Sequence, residues 1–592
     1  MTNLRATMLT AARRLMVPAL AAATVVACVD LDESARTFIS PDQFYRNDAQ
    51  AAQAVNGVYA PLMGWNGWKS PAQYSLMCED NELLCWNWMS GGFSGNQAGQ
   101  WYSQDNSVYI GNYQIIERAN QVLAYVPASN GVSATMKDVA SGQALFARGY
   151  AYFDLVRRYG GVPLRTTPYV PNAVLGAQKR ATPDSIWRQA AKDLKAAAEL
   201  LPAGYAQPNG QALPRKSSAY GLLAKVYLHM AGRETDTVTA LRDAATKAAY
   251  LDSARKAAQM VMNDAANVAL ETNYADLFDI DKQNTSKEIL FAIQGAAVNN
   301  SGSQVPGYFG PRGDCTVIGG CGQGFLSLRE DFYRTFERQD KRIEPQKMVA
   351  MSWEVTNSPL GKLRAIHTDS IDKLWAAGVM VNDKQFRWES WTEGCGAFGH
   401  RYDSLFTRNP TTGAANPPQV VAVGRPFYTL KYIDPKHLTT DQAAANNFAI
   451  LRYADVLLVF AEAENRLNPN SGAAIAALNQ VRARASKRLF PSAGDTIPTY
   501  AQSDPAYANA RPINALEWAI WMERQHELYA EFQAPFDLRR TGRYLAEMNR
   551  RSNVTDFTGH GVCRPRQAYQ LLQNIPNREL AANPLMTQNP GY

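Results

Sequence analysis

The chain has 592 residues, 46% of them hydrophobic and 19% charged, with a formal net charge of +7. That length allows a large core in one or several domains. Removing three leader arginines leaves +4 of the +7 on the mature chain, too little over this size to argue for nucleic acid or an anionic surface as partner.

Arg5, Arg13 and Arg14 form a positive leader with no acidic residue before Asp30, and Met16 to Val26 is apolar or small apart from one threonine. That run is well short of the about 20 residues a spanning helix needs, so it reads as a signal peptide covering residues 1–27. It ends in Val25-Val26-Ala27-Cys28, a lipobox pattern whose cysteine thiol takes a diacylglycerol. Cys28 is therefore the expected lipidation site and the start of the mature chain. More than one acyl chain anchors a protein stably, whereas one alone binds marginally. A chance VVAC followed by ordinary signal cleavage is the alternative.

Behind the leader, apolar periodicity is helical through much of the chain. Stripes run through Leu145, Gly149, Tyr152, Val156 and Tyr159, through Ile186, Ala190, Leu194, Ala197 and Leu201, and through Ala219, Leu223, Val226 and Met230. Two more follow Ile450, Tyr453, Leu457, Phe460, Glu464 and Leu467, then Ala474, Leu478, Val481 and Ala485. Pro183-Asp184-Ser185 reads as a helix start and Pro202-Ala203-Gly204 as a stop. Such helices with short loops predict a mainly α fold of stacked tetratricopeptide-like pairs, although no clean repeat of about 34 residues is visible.

The helical part spans about 40–264, the pattern fades over 265–445, and helices resume over about 446–592, all within one unit covering 28–592. Residues 60–105 form an aromatic loop-like stretch holding Trp65, Trp68, Trp86, Trp88, Trp101 and Tyr102, and Trp388 and Trp391 lie in the later irregular segment. Long excursions from a rigid scaffold commonly carry binding function. Trp187, Trp375, Trp518 and Trp521 fall in helical stretches and read as core.

Of the seven cysteines, Cys78, Cys85, Cys315, Cys321, Cys395 and Cys563 remain after Cys28. In an exported chain they are disulfide candidates whose connectivity stays open. Cys78 with Cys85 and Cys315 with Cys321 would close local loops, leaving Cys395 for Cys563; free buried thiols are the alternative. The scattered histidines have no metal-ligand spacing, so neither metal nor cofactor is expected.

Several strings, in order, resemble the SusD/RagB family of nutrient-binding outer-membrane lipoproteins. They include Phe44-Tyr-Arg-Asn-Asp48 through Gly57-Val-Tyr59, and Ala147-Arg148-Gly-Tyr150 through Tyr159-Gly160-Gly161-Val-Pro163. Next come Asn273-Tyr274 to Phe278, Ser286-Lys-Glu288-Ile-Leu-Phe291, and Leu451-Arg452-Tyr453-Ala454-Asp455 with Ala461-Glu462-Ala463. Last are Glu523-Arg524-Gln-His-Glu527, Phe536-Asp537-Leu538-Arg539-Arg540, and the terminus from Ile575-Pro576 to Asn589-Pro590-Gly591-Tyr592.

The resemblance implies a tetratricopeptide-like scaffold with a large irregular ligand-binding insertion. It also implies a surface lipoprotein, tethered to the outer membrane and facing the exterior, that passes a captured glycan to a SusC-like TonB-dependent transporter. A peptide ligand is the alternative within the family. No catalysis is implied.

Arg148, Arg452, Arg524, Arg539 and Arg540 stand with Asp154, Asp455, Glu462, Glu523, Glu527 and Asp537 on or beside helices, and Glu523, Glu527 and Glu531 have the spacing of one helix face. A secreted glycoside hydrolase would use two such carboxylates as acid and base. Ion pairs and arginine forks between packed helices are the favoured reading. Flat aromatic rings suit the C–H faces of sugars, which makes the loop tryptophans and Tyr102 the ligand-binding candidates. The other possibility is that they pin long loops to the scaffold.

Overall fold

The computed structural model describes residues 44–63, 107–169, 178–205, 213–232, 242–297, 444–508, 510–550 and 566–592, with 83–85 and short pieces of 302–436. Its frame is a run of helices, each packed on the next: α1 (Asp48–Met63), α2 (Ser107–Tyr125), α3 (Ala134–Tyr159), α4 (Pro183–Leu200), α5 (Lys216–Met230) and α6 (Ala244–Met262). The stack continues through α7 (Tyr453–Leu467), α8 (Gly472–Arg484) and α9 (Ala515–Leu528), followed by the short α10 (Ala534–Arg540) and α11 (Tyr544–Arg550). Helix α7 packs directly on α6, so the insertion leaves and rejoins a stack that is continuous across the gap.

Local chemistry sets the helix ends. Ser133, Thr182, Asp243 and Asn514 are N-caps whose side chains accept a backbone N–H of the first turn, satisfying donors that have no partner within the helix. The start expected at Pro183-Asp184-Ser185 is found, with Thr182 as cap and Pro183 in the first turn, where its missing N–H is harmless. Helix α3 stops at Gly160, whose φ of 71° reverses the chain. A Cβ on Gly161 would fall 2.3 Å from the Ala181 carbonyl oxygen. The Gly160-Gly161 string is thus a steric requirement of the turn.

The predicted stripes form the core. Ile186, Ala190, Leu194, Val156, Leu457 and Leu478 are fully enclosed, and Trp187, Trp518 and Trp521 are buried as expected. Small residues set the helix spacing: a Cβ on Gly149 of α3 would meet Leu194 Cγ of α4 at 2.9 Å. The chain terminus returns to the same stack. Asn589 Nδ2 donates to the Tyr159 carbonyl (3.1 Å), and Arg180 donates to Asn589 Oδ1 and to the Gly161 carbonyl, both at 2.6 Å.

Short antiparallel strands that the sequence pattern did not reveal form mostly where helical periodicity fades; Ile450, expected to open a helical stripe, lies instead in a strand that ends just before the helix beginning at Tyr453. Strand β1 (Leu83–Cys85) pairs with β3 (Leu326–Leu328), and β2 (Ile289–Ile293) pairs with β10 (Phe448–Arg452). Strands β5 (Ala365–Ile366), β4 (Val349–Ser352) and β9 (Phe427–Thr429) form one sheet, and β6 (Lys384–Gln385), β7 (Tyr402–Thr407) and β8 (Gln419–Val421) another. Both β2 and β10 are buried along their whole length, so neither shows the alternation of a half-exposed strand. The pair roots the insertion in the stack, with β10 running straight into α7.

Among the described residues, no helix is long and apolar enough to cross a membrane.

Candidate functional site

The residues expected to touch ligand lie outside the described residues: Trp65, Trp68, Trp86, Trp88, Trp101, Tyr102, Trp388 and Trp391. So do Cys28 and the cysteines Cys78, Cys315, Cys321, Cys395 and Cys563; Cys85 ends β1. The structure shows instead how the chain around them is mounted. Strand β1, which falls between Trp68 and Trp86 in sequence, pairs with β3 of the insertion, with Cys85 opposite Leu326. Strand β3 lies against β9, and β9 against β4. The middle of the first aromatic stretch is therefore joined to the insertion by backbone hydrogen bonds. Strand β6 lies just before Trp388 in sequence and pairs with β7, but nothing described places that segment beside β1.

The charged residues picked out in the sequence lie inside the protein. Arg452, at the end of β10, is 1% exposed. Its Nε and Nη2 fork onto the two oxygens of Glu531, each at 2.8 Å. Its Nη1 donates to Glu288 (2.7 Å) and Glu527 (2.8 Å), and Nη2 also reaches the Glu527 carbonyl at 3.0 Å. Every N–H of that guanidinium is used.

Arg484 joins Glu288 and Glu527, and Arg342 bridges Asp340, Glu523 and Glu527. Glu523 also accepts from Arg482 (3.2 Å) and Lys487 (2.9 Å). Burial pushes Glu523 up, yet Arg342, Lys487 and Arg482 together hold it well below the usual carboxylate range. At Lys431 burial wins: despite the attraction of Glu531, its ammonium is pulled down to about 8, with Arg452 adding repulsion.

One expectation is corrected here. Glu531 does not share a helix face with Glu523 and Glu527, because α9 ends at Leu528 and Ala530 turns left-handed with a φ of 60°. The reversal still delivers the Glu531 carboxylate to Arg452.

A second cluster ties α5, α7, α9 and α10. Lys225 donates to Asp455 at 2.6 Å, Arg524 and Arg540 both bond Asp537, and Arg540 forks onto Glu462. Burial opposes ionisation of Asp537 and Glu462, but Arg524 and Arg540 hold Asp537 at about 2, and Arg540 holds Glu462 at about 2. In a third cluster Arg148 forks onto Asp193 at 2.7 and 2.8 Å and donates to Asn120, linking α3, α4 and α2. Asp154 accepts from Arg157 and Arg158 in a fourth. Arg539 packs 4.1 Å from the Tyr544 ring centroid.

These carboxylates are enclosed and bonded to cations, which is the geometry of helix-to-helix fastening. A glycosidase pair needs two carboxyls facing a sugar across open space. Arg342, Arg484, Lys431, Lys225 and Asp193 were not picked out as partners from sequence. Their signal was indirect, since carboxylates gathered near one helix require cations from elsewhere when buried, and a buried Arg148 requires a carboxylate.

Comparison with known proteins separates the scaffold from the site. Residues 287–592 match the SusD family, and residues 31–228 match a second family described as "Starch-binding associating with outer membrane". The chain belongs to the SusD family. Two curated relatives from Formosa agariphila, SusD-like proteins P2 and P25, are 24% and 23% identical to it. The first match covers 96% of this chain and 97% of the relative, the second 95% and 96%.

Among solved structures, a SusD homolog from Bacteroides thetaiotaomicron superposes with a TM-score of 0.68 at 19% identity, covering 95% of this chain and all of that one. A laminarin-binding SusD-like protein gives 0.63 at 20% identity, covering 93% of this chain and 100% of its own. Surface glycan-binding protein A from Bacteroides thetaiotaomicron, in complex with laminarihexaose, gives 0.62 at 18% identity, covering 92% and 99%. At these identities the structural likeness establishes the SusD fold.

Proposed function

We propose that this SusD-family chain is a lipid-anchored outer-membrane protein that captures an oligo- or polysaccharide and passes it, unhydrolysed, to a SusC-like TonB-dependent transporter. The observation that carries the reading is family membership over both halves of the chain, together with a fold shared with neighbours described as laminarin-binding and glycan-binding. The outer-membrane wording of the second family supports the location. Burial of the motif carboxylates in ion pairs favours a binder over a hydrolase.

In this reading residues 28–592 act as one unit. The ligand lies on aromatic rings of the 65–102 stretch and of 386–391, on loops mounted through β1 and β6. Stacking supplies affinity and loop hydrogen bonds supply selectivity, so loss of one platform ring weakens binding by about 1–3 kcal/mol. Calorimetry against glycan and peptide panels, with Trp65, Trp86, Trp101 and Trp388 each changed to Ala, tests this. Binding of peptides with every glycan silent would reassign the ligand, and release of reducing ends would make the protein an enzyme.

The anchor has its own test. Cys28→Ala is expected to abolish fatty-acid labelling and to move the protein out of the membrane fraction. Undiminished labelling would refute lipidation at that cysteine.

A further inference from the structure

A narrow cavity lies where α3 and α5 meet β10 and the turn leading into α10. Phe153, Leu222, Ile450 and Phe532 give it apolar walls, and Tyr150, Arg157, Lys225 and Gln533 also line it. It has room for one water-sized occupant.

Two of these lining groups are cations with donors to spare. Lys225 is 3% exposed. Its ammonium has three protons but makes two hydrogen bonds among the described residues, to Asp455 and to Gln533 Oε1, both at 2.6 Å. Arg157, whose side chain is 10% exposed, places Nε and Nη2 on one oxygen of Asp154 at 3.2 and 2.8 Å. Its Nη1 has no hydrogen-bond acceptor among the described residues. Asp154 is also shared, since its other oxygen accepts from Arg158 at 2.9 Å and Asn112 at 3.1 Å. The Phe536 ring, 3.7 Å from the Arg157 guanidinium carbon, covers a face and none of the edge donors.

Burial works against the charge of every cation in this region. At Arg158, Arg524 and Arg540 the neighbouring carboxylates outweigh it and raise the pKa. At Arg157 and Lys225 burial prevails over Asp154 and Asp455 and the pKa is lowered, with Arg157 also repelling Lys225. The two cations that line the cavity are thus the under-compensated ones of these five. A water there would need acceptors for its own protons, yet Asp455 Oδ2 and Gln533 Oε1 already accept from Lys225, and Asp154 from its arginines. A monovalent anion accepts from both donors, asks for no acceptor and offsets charge held in a low dielectric.

We propose that this cavity binds one small monovalent anion of the halide class, chloride under physiological conditions, between Lys225 and Arg157. The ion acts as a clip. Arg157 belongs to α3 and Lys225 to α5, while Asp455 in α7 and Gln533 just before α10 hold Lys225 from the other side. It therefore fastens the early helices to the chain that returns after the insertion, independently of glycan capture.

Urea unfolding of the full mature chain, with chloride raised against gluconate at fixed ionic strength, tests the site. Gluconate is too large to enter. One ion released on unfolding makes the unfolding equilibrium constant fall by up to about tenfold for each tenfold rise in chloride. Arg157→Gln leaves Arg158 on Asp154 and is expected to abolish that dependence. No chloride dependence in the wild type, or the same dependence in Arg157→Gln, would overturn the proposal. A second measurement does not rely on the variant: wild-type crystals soaked in sodium bromide are expected to show an anomalous-scattering peak between Lys225 Nζ and the Arg157 guanidinium. A water at that position without anomalous signal would overturn it as well.

Discussion

Arg452→Met is expected to lower the free energy of unfolding by about 3–5 kcal/mol, the range for breaking a buried ion pair from one side. The size follows from what is left behind. Glu531 loses both arms of its fork and keeps Lys431, while Glu288 keeps only Arg484 among the described cations. Glu527 retains Arg342 and Arg484 but has its carbonyl stripped of a donor. Desolvation that was offset by five hydrogen bonds is no longer offset, and methionine fills the space without supplying a proton.

Arg452→Lys should fall between wild type and Arg452→Met, because an ammonium restores charge but not the planar fork. Urea unfolding followed by tryptophan fluorescence measures the differences. A loss below about 1 kcal/mol for Arg452→Met would mean that the cluster is solvated.

Acid should destabilise the protein before the depressed Asp537 and Glu462 protonate. His526 is buried, accepting at Nδ1 from Lys487 (3.0 Å) with Nε2 on Thr335 (2.8 Å), and burial with Lys487 and Arg342 nearby drives its pKa well below 6.5. His229 bonds the Lys225 carbonyl through Nδ1 (2.9 Å) and packs between Trp187 and Phe153, with burial and then Arg540 pushing it the same way.

Both rings are neutral in the folded chain and protonated below pH 6.5 when unfolded. The unfolded state therefore binds more protons in that window, so stability rises with pH and falls as pH drops. While it stays neutral in the folded chain, each histidine contributes at most about 1.4 kcal/mol per pH unit below about 6.5. At lower pH still, the depressed Asp537 and Glu462 add to the loss in the same direction. Urea midpoints between pH 7.5 and 4.5 give the slope. A flat profile would mean that both histidines take up protons in the native state as they do unfolded, and His526→Gln should remove about half of a true slope.

The helical stack was legible because its signals are local. A stripe such as Ile186, Ala190, Leu194 and Ala197, with Thr182 as cap and Pro202 just beyond, carries its structure within one helix. The strand pair β2–β10 was not legible, because its partners lie far apart in sequence and each is a buried apolar run with no alternation. The ion pairs were half legible: the carboxylates stood out in helical strings, but Arg342 and Lys431 sit in irregular sequence, and only the tertiary fold brings them in. The aromatic candidates stayed at the level of composition, since ring positions on long loops depend on contacts that no local pattern encodes.

The direct packing of α6 on α7 has a consequence for how this molecule is built up in time and how it tolerates change. The two helices are separated by roughly 190 residues of chain, yet loop-closure entropy grows only logarithmically, so doubling that length shifts it by about 0.6 kcal/mol. Insertions and deletions between them barely alter the thermodynamics of the stack, provided β2, β10 and the 529–532 turn keep their partners. The burden falls on kinetics. Contacts among α1 to α6 span short stretches of chain and form quickly, whereas the α6–α7 seam is a contact of high sequence separation. The C-terminal helices are therefore expected to dock late, onto a half-stack already in place, an order that pulsed hydrogen exchange during refolding checks.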